Sequence, residues 1–309
     1  MNWRIKGVVQ KVLSALPWGY RVNSALQLKL GGLRRFEETV DAKVIEDWLV
    51  VVSHLRTLAH PIAGRTFMEI GTGWFPTLPV CFSLAGAERC LTYDLRPLIN
   101  WQLTQRMLRR LEQHLPAIAE ATGAPRESVQ SAWRELAATK SMHQFLERAR
   151  IEYRAPGDAC RTGLPAESVD IVFSNSVLEH VDERIIGALM RETGRVLKRG
   201  GLAIHSVNCG DHYAYFDAGV TQIHYLRFSS RAWRLWNNSI QYQNRLRADD
   251  FVRIAEDNGL RIVLNVQRPR AELLARFDEF PIAPEFRRYS REQLCTTSVD
   301  FVAGVPEAR

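Results

Sequence analysis

The 309-residue sequence predicts an α/β fold, a doubly wound sheet of parallel strands with helices on both faces. Two observations predict it. From Thr66 onwards, short apolar segments that suit strands alternate with longer stretches whose apolar residues recur at helical spacing. A glycine-rich turn, Gly71-Thr72-Gly73, directly follows the first of these strands. The predicted strands are 66–70, 90–94, 151–155, 169–174, 202–207, 261–266 and 298–303.

Residues 1–60 precede the strands and predict a helical arm. Trp3, Ile5 and Val8 begin an apolar series at helical spacing, with basic residues on the other side, and Pro17 to Gly19 ends the first helix. Two interpretations of this basic amphipathic helix stay open. It packs over the catalytic core as a lid, or it lies on a membrane surface.

Residues 61–309 form the main domain, and it carries a long helical insertion at 97–150. We expect about three helices there, with a break at Thr122-Gly-Ala-Pro125. Further on, Asp249 or Asp250 can N-cap a helix that stops at Asn258-Gly259. The segment 290–293, Ser-Arg-Glu-Gln, is typical of a capping box that opens another helix.

The composition narrows the class of protein. With 46% hydrophobic and 24% charged residues, the chain can form a large folded core, and it has no apolar run long enough for a membrane span. It also lacks a signal-peptide pattern, so we expect a cytoplasmic protein. Its five scattered cysteines predict reduced thiols. The net charge of +7 suits an anionic membrane or a phosphorylated substrate, although no block of like charges marks a nucleic-acid track.

The glycine turn predicts a nucleotide cofactor. Gly71 and Gly73 let the backbone turn tightly and approach a ligand closely. A dinucleotide site requires a third glycine where Pro76 stands, which weakens an NAD interpretation. Glu69 is well placed for the cationic amino group of a methionine moiety. Asp94, about 20 residues on, suits the ribose hydroxyls in either interpretation.

Two later motifs extend this pattern along the carboxyl edge of the sheet, where ligands of open α/β sheets bind. Gly157-Asp158-Ala159 follows the third strand and offers a carboxylate to an adenine amino group. The run from Val169 to Val181 joins a buried strand to a polar turn. Leu197-Lys-Arg-Gly-Gly201 then leads into the fifth strand.

In this order, the motifs E-x-G-x-G, strand-end Asp, G-D-A, D-I-V-F-S-N-S-V-L-E-H and L-K-R-G-G resemble class I S-adenosylmethionine-dependent methyltransferases of the methyltransferase type 11 group, over about residues 64–207. The resemblance implies a Rossmann-like methyltransferase sheet and S-adenosylmethionine as cofactor. It implies that Glu69 and the glycines hold the methionine half, Asp94 the ribose and Asp158 the adenine. The full set of predicted cofactor contacts is Glu69, Gly71, Thr72, Gly73, Asp94, Leu95, Asp158, Ala159, Ser174 and Asn175.

Methyl transfer to a hydroxyl requires a base as well as close positioning. His212 follows the fifth strand and His180 the fourth, so both should emerge at the carboxyl edge. We take His212, His180 and Asp211 as the catalytic candidates, although His180 can equally be a structural residue at a helix start. Asp211 and His212 could ligate a metal, but no second cluster at ligand spacing supports this, so no metal is expected.

Residues 211–247 predict a helical substrate cap, because aromatic residues and arginines are concentrated there. The predicted substrate contacts are His224, Tyr213, Tyr225 and Arg227; the alternative is a purely hydrophobic cap. The segments 224–229 and 242–247 resemble methyltransferases of bacterial surface polysaccharide assembly. That resemblance implies O-methylation of a sugar or other small hydroxylated acceptor, carried on a nucleotide or lipid phosphate at the inner face of the membrane.

Two other functions remain open. A nucleic-acid methyltransferase would use the basic charge, yet Ser174-Asn-Ser-Val177 stands where an N-P-P-Y type turn would be, and no stripe of Lys and Arg is present, so nucleic acid is not the expected partner. A non-catalytic cofactor-binding scaffold would keep the fold without the chemistry, since fold alone does not determine function.

Overall fold

The computed structural model describes residues 2–19, 22–23 and 35–306. Its centre is a seven-stranded sheet in the order β3-β2-β1-β4-β5-β7-β6. Neighbours among β1 to β5 pair in parallel, whereas β7 lies antiparallel between β5 and β6. The strands are β1 Thr66–Ile70, β2 Arg89–Tyr93, β3 Ile151–Arg154, β4 Val169–Asn175, β5 Leu197–Asn208, β6 Arg261–Pro269 and β7 Thr296–Gly304. The predicted doubly wound sheet and its seven strands are therefore confirmed, but the prediction that the strands are all parallel is wrong for β7.

Helices flank the sheet on both faces. In chain order they are α1 Trp3–Ser14, α2 Phe36–Ala42, α3 Leu49–Thr57, α4 Thr77–Leu84, α5 Trp101–Leu111, α6 Leu115–Thr122, α7 Arg126–Ala137, α8 Met142–Arg148, α9 Glu183–Val196, α10 Ser230–Trp236, α11 Ala248–Asp257, α12 Ala271–Leu274 and α13 Arg291–Cys295. A π-helical turn, Lys43–Trp48, joins α2 to α3 without a break. Short 3₁₀ turns stand at Leu178–His180, His212–Tyr215 and His224–Arg227.

Two apolar cores lie on opposite faces of the sheet, and a third lies within the cap. On the first face, Phe67 of β1 stacks on Phe82 of α4 with ring centroids 4.2 Å apart. Trp48 and Leu55 are fully buried in the same core, so residues 36–57 belong to the main body of the fold. Of the helices of the predicted arm that the structure describes, α1 lies elsewhere, against the cap.

The insertion at 97–150 contains four helices, α5 to α8, where about three were predicted. The additional boundary lies at a 3₁₀ turn, Glu112–His114, after which Pro116 occupies the first turn of α6. Proline is tolerated there because a first-turn N–H has no partner within the helix. Arg106 and Arg110 of α5 pair with Glu37 and Asp41 of α2, which ties the insertion to the N-terminal helices.

The two predicted helix starts after the cap have different outcomes. The capping box at Ser290 and Gln293 is confirmed. The prediction that Asp249 or Asp250 N-caps α11 is wrong, because Arg247 is the N-cap residue. The Asp250 carboxylate instead lies in the first turn and accepts the Arg247 backbone N–H at 2.8 Å, where an acidic residue also favours the positive end of the helix.

Helix α1 packs against the cap with its polar side. Lys6, Gly7 and Gln10 are buried, and Gln10 Nε2 donates to Gln241 Oε1 at 2.8 Å. The aliphatic residues of this helix instead point outwards, and we call them the α1 apolar face: Ile5, Val8, Val9 and Val12, each about half or more exposed. Among the described residues, no helix combines the length and the apolar character that a membrane crossing requires.

Candidate active site

The glycine turn joins the carboxyl ends of β1 and β2. Gly71 and Gly73 both have positive φ, +85° and +73°. The Gly71 N–H donates to Tyr93 O at 2.8 Å, and the Gly73 N–H donates to Asp94 Oδ2 at 3.0 Å. A Cβ atom on Gly71 would lie 2.5 Å from Val177 Cγ2, whereas one on Gly73 would meet nothing within 4 Å. The turn therefore carries open space above Gly73, bordered by Val177 of the loop after β4.

Glu69 lies beneath this turn with only 6% of its surface exposed. Burial raises the pKa of its carboxyl to about 8, although Lys43 and the hydroxyls of Thr72 and Thr92 act in the opposite direction. Its Oε2 atom has no hydrogen-bond partner among the described residues. A buried carboxyl with an unpaired oxygen is costly to the apo protein, so the position suits a cationic ligand group.

The predicted ribose and adenine acids follow β2 and β3 at the same edge of the sheet. Asp94 Oδ1 accepts the Arg96 backbone N–H at 3.0 Å, and the Gly157 N–H donates to Asp94 O at 2.8 Å, which brings the ends of β2 and β3 together. Asp158 is exposed, and its carboxylate accepts the Cys160 N–H at 2.8 Å. Of their neighbours, Leu95 is 75% exposed and Ala159 is buried.

Two predicted cofactor residues direct their hydroxyls into the protein. Ser174 is buried, with its hydroxyl 2.7 Å from His205 Nδ1. Thr72 is also buried and hydrogen-bonded to the Thr92 hydroxyl. Of the two residues that the resemblance places at the floor of the site, Ser174 and Asn175, Ser174 therefore does not present its hydroxyl there. Asn175, one residue further along β4, is only partly buried.

The remaining predicted cofactor residues lie along the carboxyl ends of β1 to β4. Glu69 offers an unpaired buried carboxyl oxygen to an amino cation. The backbone turn is open above Gly73 and allows a close ligand contact. Asp94 places a carboxylate at the end of its strand, where it suits a ribose. These residues fit S-adenosylmethionine, although individual contacts stay predictions.

A second group of polar side chains lies beyond Val177. Donor atoms of Glu179, His180 and His212 all lie within 4.8 Å of one another, and the two imidazole centroids are 4.9 Å apart. His180 stays exposed on one side, His212 is partly buried and Glu179 is 1% exposed. The structure therefore brings two of the three catalytic candidates together and adds a buried carboxyl that sequence reasoning missed.

Both imidazoles of this group are neutral at pH 7. Burial lowers the pKa of His180, and burial together with His180 and Lys6 lowers the pKa of His212 to about 3. His180 Nδ1 lies 2.6 Å from Tyr242 O, and because a carbonyl only accepts, this nitrogen carries the proton and Nε2 keeps its lone pair. His212 Nε2 is buried without a hydrogen-bond partner among the residues described.

Asp211 does not join this group. Its Oδ1 accepts the Tyr213 N–H at 2.8 Å, and its Oδ2 lies 3.1 Å from His224 Nδ1, so both carboxylate oxygens are occupied. The structure therefore does not bring Asp211 to the two imidazoles: the residue is buried and caps the turn that carries His212. A catalytic role for Asp211 stays a prediction.

The predicted substrate contacts are divided between core and surface. Tyr213 and Tyr225 are buried in the cap, and their hydroxyls donate to Trp236 O and Cys209 O. Their prediction as substrate contacts is wrong, because both form the apolar interior that the alternative interpretation described. His224 is packed against Trp3 at a centroid distance of 4.9 Å, and Arg227 is exposed beside Phe228.

Glu179 was the functional candidate that sequence reasoning overlooked. It stands in the Leu178-Glu-His180 triplet, where His180 alone was considered. Burial raises the pKa of its carboxyl to about 8. Its position in the sequence could have indicated it: Glu179 and His180 are successive ionisable residues, and they directly follow a strand whose carboxyl end lies at the ligand-binding edge of the sheet.

Comparison with known proteins adds a family match and a set of similar folds. Residues 118–205 match the family model described as a methyltransferase domain, from within α6 to β5. No curated protein sequence matches the chain. Similar solved structures include a putative sarcosine dimethylglycine methyltransferase from Galdieria sulphuraria, 14% identical with a TM-score of 0.43, covering 82% of this chain and 84% of that chain. Another is magnesium protoporphyrin IX methyltransferase from Synechocystis PCC 6803 with bound SAH, 15% identical with a TM-score of 0.43, covering 88% and 83%. At these values the likeness concerns the fold alone.

Proposed function

We propose that the chain is an S-adenosylmethionine-dependent methyltransferase. The observation that carries the proposal is the buried Glu69 carboxyl, with an unpaired oxygen, beneath a turn that leaves open space above Gly73. Asp94 at the end of β2 and the family match over residues 118–205 support it. When bound, the cofactor supplies a methyl group on a sulfonium centre.

Each cofactor contact follows from position along the strand ends. Glu69 ionises and pairs with the amino cation, while the Gly71–Gly73 backbone allows close approach. Asp94 accepts hydrogen bonds from ribose hydroxyls and Asp158 from the adenine amino group. Val177 lies over Gly71 and therefore borders the methionine end, and Leu178–His180 follows at once.

The acceptor side of the site is the group Glu179, His180 and His212, and we propose a hydroxyl acceptor. Both imidazoles are neutral at pH 7, and His180 Nε2 has a free lone pair because Nδ1 donates to Tyr242. A neutral imidazole can take the hydroxyl proton as the new O–C bond forms. His180 stays partly exposed, so an acceptor can reach it from solvent.

We further propose that the acceptor is a sugar bearing a phosphate. A cleft of about 620 Å³ opens beside this group, on the other side of Tyr242. Its lining includes the aromatic residues Trp233 and Tyr242 and the cations Arg234 and Arg288. Aromatic faces suit the apolar side of a sugar ring, and guanidinium groups bind phosphate oxygens.

The α1 apolar face suits contact with an anionic membrane, where a lipid-linked acceptor would be found. Its outward aliphatic side chains lie beside exposed cations, Arg4 and Arg234, and the whole chain carries a net charge of +7. Co-sedimentation with phosphatidylglycerol vesicles should fall for Val8→Ser combined with Val12→Ser. It should not change for Ile185→Ser, an equally exposed control on α9. Unchanged sedimentation of the double variant would overturn the membrane proposal, and so would a wild-type chain that is dimeric in solution and becomes monomeric in the double variant.

Methyl transfer is tested by release of S-adenosylhomocysteine in the presence of free, nucleotide-linked and lipid-phosphate-linked sugars. We expect turnover with a phosphate-bearing sugar, a loss of at least about a hundredfold in kcat for His180→Ala, and a raised KM for Arg288→Gln. Turnover only with nucleic acid, or activity unaffected by His180→Ala, would contradict the assignment of the acceptor side.

A further inference from the structure

The group Glu179, His180 and His212 also has the composition of a metal site. Two imidazoles and one carboxylate are the donor set of catalytic zinc sites and of mononuclear iron(II) sites, in which further coordination positions stay open for water or substrate. Neighbouring positions in the chain supply two of the donors, and the turn after β5 supplies the third. We propose that these three residues bind one divalent transition-metal ion, for which Zn²⁺ is the reference.

The donor atoms are close enough for one ion. They lie within 4.8 Å of one another. Around an ion at about 2.1 Å from each donor, neighbouring donors stand roughly 3 to 3.5 Å apart, so the side chains have to approach by up to about 1.5 Å. Rotation about the side-chain bonds of Glu179 and the two histidines can provide this movement without a change in the backbone.

The donor atoms are also unoccupied within the part of the chain that the structure describes. Both carboxylate oxygens of Glu179, which is 1% exposed, lack a hydrogen-bond partner, and so does His212 Nε2. The backbone N–H groups of Glu179 and Asn208 lie near the carboxylate without completing a regular hydrogen bond. Unpaired buried polar atoms are rare in folded proteins, and three that converge on one point indicate a missing ligand.

One segment of the cap, residues 242–244, contacts the ring of His180 and the backbones of His212 and Glu179. Tyr242 O accepts from His180 Nδ1, which directs the lone pair of Nε2 away from Tyr242. The backbone N–H of His212 donates to Gln243 Oε1 at 3.2 Å. Asn244 donates its backbone N–H to Glu179 O at 2.8 Å, and its side chain donates to Leu178 O at 2.7 Å and to Val181 O at 2.8 Å. A ring N–H that donates to a carbonyl oxygen, as in His180, is the usual outer contact of a metal-ligating histidine.

A charged residue close to this site, Lys6, provides a control that is specific to it. Lys6 of α1 acts electrostatically on His212, and its ammonium lies over the Phe216 ring, 2.7 Å from the centroid. Burial lowers the pKa of Lys6 to about 7, so only part of the molecules carry the ammonium at pH 7; that charge opposes a bound cation, and Lys6→Met should tighten metal binding modestly. This effect would not be expected if the ion bound elsewhere on the surface.

A bound ion would deepen the proposed function, and this consequence rests on it. A divalent ion lowers the pKa of a coordinated hydroxyl and stabilises its anion, which prepares an acceptor oxygen for alkylation. The two imidazoles would then be ligands, and the acceptor proton would pass to solvent. Metal binding itself does not depend on the methyltransferase assignment.

The test is calorimetric titration of the full, tag-free, EDTA-treated chain with Zn²⁺, together with the absorption spectrum of the Co²⁺ form. We expect one ion per chain, visible Co²⁺ bands typical of imidazole ligation, and affinity at least about tenfold weaker in Glu179→Gln and His180→Ala. His143→Gln, an exposed histidine on α8 outside the group, should bind as wild type does. If a variant fails to fold, the Co²⁺ spectrum of the wild-type chain still shows whether imidazoles ligate the ion.

Absence of stoichiometric binding, or equal affinity in Glu179→Gln and wild type, would overturn the inference. S-adenosylmethionine is titrated separately into the metal-free protein. Cofactor binding without metal binding would refute the metal site and leave the proposed function in place, and metal binding without cofactor binding would do the reverse.

Discussion

Replacement of Glu69 by glutamine should stabilise the cofactor-free protein. Burial raises the pKa of this carboxyl from 4.5 to about 8, so the native state holds it protonated at pH 7 while the unfolded chain ionises it. The unfolded state binds fewer protons between these two values, and the free energy of unfolding therefore falls as the pH rises. At pH 7, which lies roughly 2.5 pH units above the ordinary pKa, holding the carboxyl protonated costs the native state about 3 kcal/mol of unfolding free energy. At pH 5 the same cost is at most about 1 kcal/mol.

Glutamine fills the same volume, can hydrogen-bond with the hydroxyls of Thr72 and Thr92, and removes the ionisation. Urea unfolding of Glu69→Gln and wild type at pH 5, 6 and 7 should show a stability gain that grows with pH. Glu120→Gln serves as control, because Glu120 is exposed on α6 and should show no such trend. The same Glu69 variant should bind S-adenosylmethionine at least about tenfold more weakly, since it cannot pair with the amino cation.

An unchanged or lowered stability of Glu69→Gln at pH 7, or a difference that does not vary with pH, would refute the account of this carboxyl. A gain in stability combined with a loss of cofactor affinity is the expected pattern for a residue retained for binding at a cost to folding.

Three further substitutions test other parts of the structure. Gly71→Ala should abolish cofactor binding and lower Tm, because its Cβ would lie 2.5 Å from Val177 at φ +85°. Gly73→Ala meets open space and should lower Tm less. Equal effects of the two substitutions in melting and binding assays would contradict the description of the turn. Arg247→Met should destabilise the fold by roughly 3 kcal/mol or more in urea unfolding, because this fully buried guanidinium donates to the backbone oxygens of Cys209, Leu294 and Thr296; a neutral result would show that these bonds contribute little. Trp3→Ala should release α1 from the cap and lower the free energy of unfolding by about 3 kcal/mol. Amide exchange should become faster in residues 3–14 and 212–215 and stay unchanged in the sheet; unchanged exchange in those two segments would mean that other contacts hold the helix.

The sheet was predictable from sequence because each strand is a short apolar run bounded by turn residues. Seven strands were found where apolar periodicity placed them, and the glycine turn follows the first. The orientation of β7 was not predictable in this way, because periodicity reports which face a side chain occupies and carries no information on strand direction. That direction follows from the chain between Arg270 and Cys295, which returns β7 between β5 and β6.

The site was predictable where function depends on position along a strand, and less so where it depends on side-chain direction. Glu69 and Asp94 follow from their spacing to the glycines. Ser174 is turned inwards, where its hydroxyl is hydrogen-bonded to His205 Nδ1 of the neighbouring strand, a pairing between residues far apart in the chain. Tyr225 is buried because its hydroxyl and ring fill the cap interior, and an aromatic residue predicts a core position as readily as a ligand contact.

The central claim is that Glu69, the Gly71–Gly73 turn and Asp94 form an S-adenosylmethionine site. Calorimetric titration of the purified chain with S-adenosylmethionine tests it most directly, with NAD as the ligand control and Asp94→Ala as the variant. We predict binding of one cofactor per chain, lost in Asp94→Ala, and no heat with NAD. Binding of NAD in preference, or S-adenosylmethionine binding that is unchanged in Asp94→Ala, would contradict the assignment.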